Sequence, residues 1–347
     1  MKTHPLDVPR IGYIHAWQRT QDEGWTRAAL DYYGVPYTYF ADQKLRDGNL
    51  RAKYDVIVYP HVGGSSQSQV NGIPKTGPDP IPYKKSELTP NLGALDQSDD
   101  IRGGMGMDGL AELAKFVQEG GALITDGSSA AMLADYGLAG AVTVEHPAQL
   151  FARGSSLRGV FHDQKSPIAY GFDGKDLPIY FNQDPVFNAG GGGFGGFGGG
   201  GGGSSLGQNV TPNATPLQLS PLDPSEAAKA PERPQADEAA DFQQFARQFG
   251  IVQPVRPRVI MQFPANPNDM LLSGTIAGGQ ALSNRPLALD VPVGKGHIVM
   301  FALRPFWRWQ TQGTYFLAFN AILNWNHLDA GKPERERNQP TPTAANQ

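Results

Sequence analysis

The stretch GLAELAKFVQEGGALITDGS, residues 109–128, carries the clearest signal of the fold class. Its first half places apolar side chains at the spacing of one helical face: Leu110, Leu113, Ala114 and Val117. This spacing predicts a helix that Asp108 caps and that the glycines at 120–121 end. The apolar run 122–125 then predicts a buried strand, followed by a turn at 126–127 and a helix over 128–136. A strand between two helices indicates an α/β sheet.

The same alternation runs through the N-terminal part of the chain. Residues 11–15 predict a strand, and a capping box over 20–23 starts a helix that Gly34 ends. Strands are predicted at 36–40 and 54–60, and the second of these is a continuous apolar run typical of a parallel strand covered on both faces. Residues 61–106 predict a long irregular loop, since they are rich in Gly, Pro, Ser and Asn.

The C-terminal part predicts the remainder of the same sheet. Residues 258–263 predict a strand, and 287–293 with 297–303 predict a hairpin around the turn Gly-Lys-Gly. A helix over 313–326 is apolar on nearly every side and is therefore predicted to be buried. The fold class that follows is an α/β protein with an open, mostly parallel, flavodoxin-like sheet. Helices cover both faces of this sheet, and a C-terminal β-hairpin extends it.

A low-complexity segment with two parts interrupts this domain. Residues 190–203 read GGGGFGGFGGGGGG, and 204–240 are rich in Pro, Ala, Ser, Gln and Asp. Such segments bury too little apolar surface to offset their ordering entropy, so 188–240 is predicted to be a disordered insertion. The tail 329–347 is predicted to be disordered too. Residues 1–187 and 241–328 then form one domain.

Composition excludes several classes of function. Lys plus Arg is 29 and Asp plus Glu is 33, which argues against binding nucleic acid through bulk positive charge. With no cysteine, the chain has no disulfide, no thiolate metal site and no cysteine nucleophile. No apolar run reaches the ~18–20 residues that span a bilayer, so no membrane partner is expected. The first residues, MKTHPLDVPR, lack the apolar region of a signal peptide.

The order of elements resembles the class I glutamine amidotransferase-like fold. More specifically, several segments resemble the C-terminal amidotransferase-like domain of large secreted bacterial proteins of the zinc carboxypeptidase (carboxypeptidase A-like) family. These are DEGWTR (22–27), YDVIVYP (54–60), the stretch 109–128, PIAYGF (167–172) and DVPVGKGHIVMFALRPFWRWQTQGTYFLAFNAIL (290–323). The last is the most specific, and together they cover nearly all of the chain outside the insertion and the tail.

The resemblance implies an accessory domain of a metallopeptidase rather than the peptidase itself. In that family a separate N-terminal domain holds zinc with a His-x-x-Glu pair and a later His, and a Glu acts as general base. None of the histidines in this chain is followed by Glu three residues later. The seven histidines are His4, His15, His61, His146, His162, His297 and His327. We therefore expect no metal, no cofactor and no catalysis in this chain.

The resemblance also implies a partner and a location. The expected partner is a zinc carboxypeptidase catalytic domain encoded upstream, because Met1 lies about where the linker between the two domains would be. The chain would then be the C-terminal part of such a protein, either split off or encoded alone. The expected location is secreted or periplasmic.

The turn after the fourth strand is where a glutamine amidotransferase carries its cysteine nucleophile. Here Asp126, Gly127 and Ser128 occupy it, which excludes glutaminase activity through cysteine. A hydrolase that uses Ser128 or Ser129 is an alternative, although the sequence lacks the G-x-S-x-G elbow. A further alternative is that Ser128 caps the following helix.

Candidate ligand-binding residues follow the first and last strands of the sheet, where open α/β sheets bind ligands. They are Glu23, Trp25, Arg27, Arg304, Trp307, Arg308 and Gln310. Arginines among aromatic rings suit a carboxylate, a sugar or a peptide. The alternative function is therefore a freestanding protein that binds a small molecule, a peptide or a glycan in this cleft.

Each of these candidates also has a structural interpretation. Trp25 could lie in the core and Glu23 could be a helix cap, while the arginines could pair with Asp22 or Glu23. The sequence also allows two other binding sites at the same edge. His15 and His61 could hold a metal, and the backbone amides of 63–66 could bind an anion.

Overall fold

The computed structural model describes residues 6–189 and 256–332. Along the chain its elements are β1 (Ile11–His15), α1 (Gln21–Tyr32), β2 (Thr38–Ala41), α2 (Leu50–Lys53), β3 (Val56–Tyr59), α3 (Ser66–Asn71), α4 (Gly106–Gln118), β4 (Ala122–Asp126), α5 (Gly127–Asp135), β5 (Thr143–Glu145), β6 (Ser155–Phe161), β7 (Asp176–Phe181), β8 (Val186–Asn188), β9 (Arg258–Gln262), β10 (Leu271–Ser273), β11 (Pro286–Val293), β12 (Gly296–Phe301) and α6 (Gln312–Leu323).

Five parallel strands form the centre of the sheet, in the order β2-β1-β3-β4-β12. Every residue of β1, β3, β4 and β12 is buried, as expected for parallel strands covered on both faces. The order reverses between β1 and β3, which is the arrangement of the flavodoxin-like fold. The α/β fold class predicted from the sequence is confirmed.

Helices cover both faces because the chain passes from β1 to β2 on one side of β1 and then crosses to β3 on its other side. On one face α1 and α6 meet, and the rings of Tyr33 and Phe319 lie 5.1 Å apart. On the other face α3 contacts both α4 and α5. The helical stripe predicted on α4 is buried, including Leu110, Leu113 and Val117.

Antiparallel strands extend the sheet beyond β12. The predicted hairpin is present, with Val293 of β11 opposite Gly296 of β12. Beyond it the order continues through β11, β9, β6 and β10, with β7 also paired to β6. The strands β6, β7 and β10 and the separate pair β5–β8 were not predicted, so the antiparallel part is larger than one hairpin.

Several predicted helix ends are wrong. The Thr20 side chain makes no capping hydrogen bond, so the predicted capping box does not form. Helix α4 begins at Gly106, which places Asp108 in its first turn rather than at its cap. The predicted loop 61–106 contains α3, whose Ser65 hydroxyl accepts a hydrogen bond from the amide of Ser68.

The last helix is less buried than its composition indicates. Phe316 is 51% exposed and Leu323 is 39% exposed, so α6 has an apolar face that the described chain leaves open. Asn188 ends β8, and 329–332 form a turn after α6, inside the limits predicted for the insertion and the tail. The rest of the predicted insertion lies outside the described residues, as do residues 1–5, 241–255 and 333–347.

A close backbone contact joins β12 to the end of α4. A Cβ atom at Gly296 would lie 2.2 Å from the carbonyl oxygens of both Gly121 and Val117. These atoms belong to the backbone and cannot rotate away, so this position requires glycine. A larger residue here would push the start of β12 away from α4.

We predict that Gly296→Ala lowers the free energy of unfolding by about 2–3 kcal/mol, because the added methyl group overlaps backbone atoms. The control is Gly24→Ala in α1, where a Cβ meets nothing within 4 Å. That change should be neutral or stabilising by up to ~1 kcal/mol, since Ala favours helix over Gly. Urea unfolding of both variants checks this, and equal stabilities would contradict it.

Candidate functional site

The sheet brings polar side chains together at its carboxyl edge, the edge at which β1, β3, β4 and β12 end. His61 follows β3, Asp126 ends β4, Arg304 follows β12, and Asp22 lies in the first turn of α1. Hydrogen bonds join Asp126 to His61 and Arg304 to Asp22, and His61 also contacts Arg304. We call these four residues the strand-end cluster. Of the four, Arg304 was predicted as a ligand contact and Asp126 as a turn residue, while Asp22 and His61 were named only in alternatives.

Gly127 forms the sharp turn between β4 and α5. Its φ is +52°, a left-handed conformation that disfavours residues with a side chain. A Cβ atom at this position would lie 2.5 Å from Nδ1 of His61. The turn therefore presents no side chain at its tip, and the His61 ring occupies the space where one would begin.

The two serines after this turn hold neighbouring backbone. The Ser128 hydroxyl accepts hydrogen bonds from the amides of Val62 at 3.2 Å and Gly63 at 2.8 Å. The Ser129 hydroxyl donates to the carbonyl of Pro60. Helix α5 has Asp126 as its N-cap, so the interpretation of Ser128 as the helix cap is wrong. Both hydroxyls instead fasten the loop after β3.

Asp126 is a buried carboxyl group, only 8% exposed. Burial, and next the negative charge of Asp22, raise its pKa to about 7, although Arg304 opposes this. Its Oδ1 accepts a hydrogen bond from the backbone amide of His61 at 2.6 Å. This carboxyl group therefore changes charge near neutral pH.

His61 is a neutral imidazole. Burial, and next the positive charges of Arg304 and Arg19, lower its pKa to about 3. Its Nδ1 accepts the backbone N–H of Ser128 at 3.0 Å. On the other side of the ring, Nε2 lies 2.9 Å from an Nη2 of Arg304. The ring is thus held between α5 and the loop after β12.

Arg304 links the cluster to α1. Its Nη1 donates to both carboxylate oxygens of Asp22, each at 3.3 Å, so the predicted pairing with a carboxylate is found for this arginine. Burial raises the pKa of Asp22, and Arg304 opposes the shift. The guanidinium also lies 5.1 Å from the ring centre of Trp307.

Three of the four residues predicted in the loop 304–310 share contacts. Trp307 stacks on Tyr180 with ring centres 4.4 Å apart, and Arg308 lies 5.6 Å from the Trp307 ring on the exposed surface. Tyr180 belongs to β7, a strand that the sequence analysis did not identify. Gln310 is exposed and ends the short 3-10 helix of this loop.

The predicted residues on α1 have different neighbours. Glu23 lies 3.6 Å from Arg27, and Arg27 lies 5.2 Å from the ring centre of Tyr39 on β2. Burial raises the pKa of Glu23, and Arg27 opposes the shift. Trp25 is half-buried, and its Nε1 is buried without a hydrogen-bond partner. Glu23 and Arg27 therefore support α1 against β2.

The partners of His15 are Asp96 and the carbonyl of Ala16, and they do not include His61. The Nε2 of His15 lies 2.9 Å from Asp96, which also binds Lys44 at 2.5 Å and the Ala41 amide at 2.7 Å. Burial alone would raise the pKa of Asp96, but hydrogen bonds from His15 and Lys44 hold it well below its usual range. Asp96 lies in the irregular loop 61–106, where no sequence pattern indicated it.

One group in the described residues has metal-ligand chemistry, near the start of β12. Asp290, His297 and Asp329 place one ligand atom each within 4.8 Å of one another. His297 lies 2.6 Å from Asp290 through Nδ1 and 3.7 Å from Asp329 through Nε2. Burial would lower the pKa of His297, but the two carboxylates raise it to about 9. Lys332 also pairs with both, so two cations of the protein balance them.

Comparison with known proteins identifies no family. No protein-family model matches, and no curated protein matches. Among solved structures, the chain is similar to a putative ThuA-like protein from Parabacteroides merdae, with TM-score 0.44, 8% identity, and 94% of this chain and 93% of that chain covered. A putative GMP synthase protein from Thermoplasma acidophilum gives TM-score 0.42, 10% identity, and 92% and 94% coverage.

A β-galactosidase from Bacillus circulans sp. alkalophilus is also similar, with TM-score 0.41 and 9% identity. This match covers 91% of this chain, but the chain spans only 30% of the length of that enzyme. The described helices include none that is long and apolar enough to cross a membrane.

The free energy of unfolding of the wild type should fall as the pH rises from 5 to 8. We predict that this fall is smaller in Asp126→Asn. In the wild type the folded carboxyl keeps its proton up to about pH 7, whereas the unfolded one releases it near pH 4. The unfolding free energy therefore falls as pH rises through this window. Asparagine cannot ionise, and its oxygen still accepts the His61 amide.

Urea unfolding at both pH values measures this difference. The control is Asp99→Asn, which makes the same charge change at a side chain that is 88% exposed and should leave the pH dependence unchanged. Equal slopes for the wild type and Asp126→Asn would show that Asp126 ionises normally.

Proposed function

We propose that this chain is a non-catalytic accessory and interaction domain. The proposal rests on the sharp turn after β4. Gly127 forms this turn, so no side chain extends from it, and the His61 ring lies against it. The chain has no cysteine to serve as a nucleophile elsewhere. The carboxyl edge is therefore built without the group that an amidotransferase needs at this turn.

The neighbouring serines supply no substitute nucleophile. A serine nucleophile needs its hydroxyl directed at a base. Here the backbone N–H of Ser128, rather than its hydroxyl, faces Nδ1 of His61. The hydroxyl accepts from two loop amides instead. These contacts argue against the alternative of a serine hydrolase.

The partner that we propose is a zinc carboxypeptidase catalytic domain, and the support for it is the resemblance of residues 290–323. This segment contributes β11 from Asp290 onward, β12, the Trp307 loop and α6. It includes exposed Phe316 on α6, which would suit an apolar contact with a partner. Such a partnership would place the domain in the periplasm or outside the cell.

A second candidate is the binding of a small molecule, a peptide or a glycan at the carboxyl edge. It is favoured by the stacked rings of Trp307 and Tyr180 beside the exposed guanidinium of Arg308. An aromatic ring next to a cation offers both a flat apolar surface and a charge. The two candidates are compatible, since an accessory domain can bind ligand for its partner.

We predict that the purified chain releases no C-terminal residue from peptides, with or without added Zn²⁺. Mass spectrometry of a mixed peptide set measures the release of C-terminal residues. In a separate experiment, a serine-directed fluorophosphonate probe should leave Ser128 unlabelled. Zinc-dependent release above the rate of a metal-free control would overturn the proposal. His297→Gln then identifies whether the zinc is held by the cluster near β12.

The partnership is tested by sequencing the DNA upstream of the gene. If a zinc carboxypeptidase reading frame is present, we expect its product to co-purify with this chain, and Phe316→Ser to weaken the complex. The control is Leu88→Ser, which removes an apolar side chain that is 94% exposed in the irregular loop 61–106. Absence of such a frame, or failure to associate, would remove this partner while leaving the non-catalytic assignment standing.

A further inference from the structure

Both ring nitrogens of His61 face hydrogen-bond donors. Nδ1 accepts the backbone N–H of Ser128 at 3.0 Å, and Nε2 lies 2.9 Å from Nη2 of Arg304. A neutral imidazole accepts at one nitrogen and carries its proton on the other, while an arginine guanidinium can only donate. With Nδ1 already accepting, the proton lies on Nε2 and points at the arginine. The N–H of His61 Nε2 and an N–H of Arg304 Nη2 therefore face each other, and neither accepts a hydrogen bond from the other.

Arg304 has a second N–H without an acceptor. Its side chain is nearly buried, with the residue 8% exposed, and Nη1 is bound to Asp22. Its Nε is buried and has no hydrogen-bond partner. Three N–H groups are thus close together and unsatisfied: His61 Nε2, Arg304 Nη2 and Arg304 Nε. Leaving buried donors unpaired is destabilising, so an acceptor here is favoured.

A second guanidinium borders the same place from the solvent side. Arg19 is exposed, and its Nη1 donates to the Gly63 carbonyl at 3.0 Å. The positive charge of Arg19, like that of Arg304, lowers the pKa of His61. Three carboxyl groups near Arg304 oppose an anion only in part. Asp22 is paired with Arg304, and burial raises the pKa of Asp126 to about 7 and raises that of Asp184.

We propose that an oxyanion, a carboxylate or a phosphate, binds between His61 and Arg304 with Arg19 at the entrance. The oxygen atoms of such a group supply the acceptors that the three N–H groups lack. Binding separates Arg304 from His61 and leaves the Arg304–Asp22 pair in place. The inference rests on the ligand-binding role proposed for the carboxyl edge, and it names the chemical class of that ligand.

The experiment is a titration of the full chain, labelled with ¹⁵N-histidine, with sodium phosphate and with sodium acetate. Sodium chloride at equal ionic strength is the reference. We expect the His61 ring to carry its proton on Nε2, and its resonances to shift saturably with at least one oxyanion. Comparison of phosphate with acetate, and of a peptide acid with its amide, distinguishes a phosphate ligand from a carboxylate ligand.

Two variants locate the site. Arg304→Lys removes the fork of donors and should weaken binding about tenfold or more, the loss expected for a charge-assisted hydrogen bond. Arg19→Gln, at an exposed position that does not endanger folding, should weaken it several-fold. The matched control is Arg256→Gln, an exposed arginine before β9 at the opposite end of the sheet, which should bind as the wild type does.

Three results would overturn the site. They are a proton on Nδ1 of His61, the absence of saturable binding for both oxyanions, and an equal loss in Arg19→Gln and Arg256→Gln. The last would mean that the anion responds only to overall charge. None of these readouts depends on peptide hydrolysis or on the carboxypeptidase partner, so the site and the accessory function can fail separately.

Discussion

The register of β4 between β3 and β12 is the constraint on which the rest of the molecule depends. Tyr59 of β3 pairs with Thr125, and Phe301 of β12 pairs with Asp126. A slip of one residue would turn every side chain of β4 to the opposite face and would separate the strand-end cluster. The register is fixed at the other end of β12 by Gly296, which lies too close to the backbone of Gly121 to accept any side chain.

The strand-end cluster follows from that register, and its electrostatics follow from burial. Removing Asp126 and His61 from water disfavours their charged forms, so one carboxyl stays protonated toward neutrality and the imidazole stays neutral. Arg304 pairs with Asp22. The cluster thus concentrates donors without an equal number of acceptors, which is the reverse of a metal site and suits a bound anion.

Periodicity was sufficient to predict the parallel strands and the hairpin, because buried strands and amphipathic helices leave regular apolar patterns. The convergence of Arg304 with the first helix was predicted from the topology alone, although Asp22 lies 282 residues away along the chain. Capping was predicted poorly, since Thr20 has the right residue type but makes no side-chain bond. Tyr180 and Asp96 were missed because β7 and the loop 61–106 have contacts that depend on tertiary packing and leave no periodic signal.

The stacked rings of Tyr180 and Trp307 give the protein an optical property. Excited tyrosine transfers energy to tryptophan at such short range, and a guanidinium near the indole changes the wavelength at which the indole emits. The guanidinium groups of Arg304 and Arg308 lie 5.1 and 5.6 Å from the centre of the Trp307 ring. Among the tryptophans in the described residues, Trp307 is the one with a cation–π contact to Arg304. Its fluorescence therefore reports the position of Arg304 without any added label.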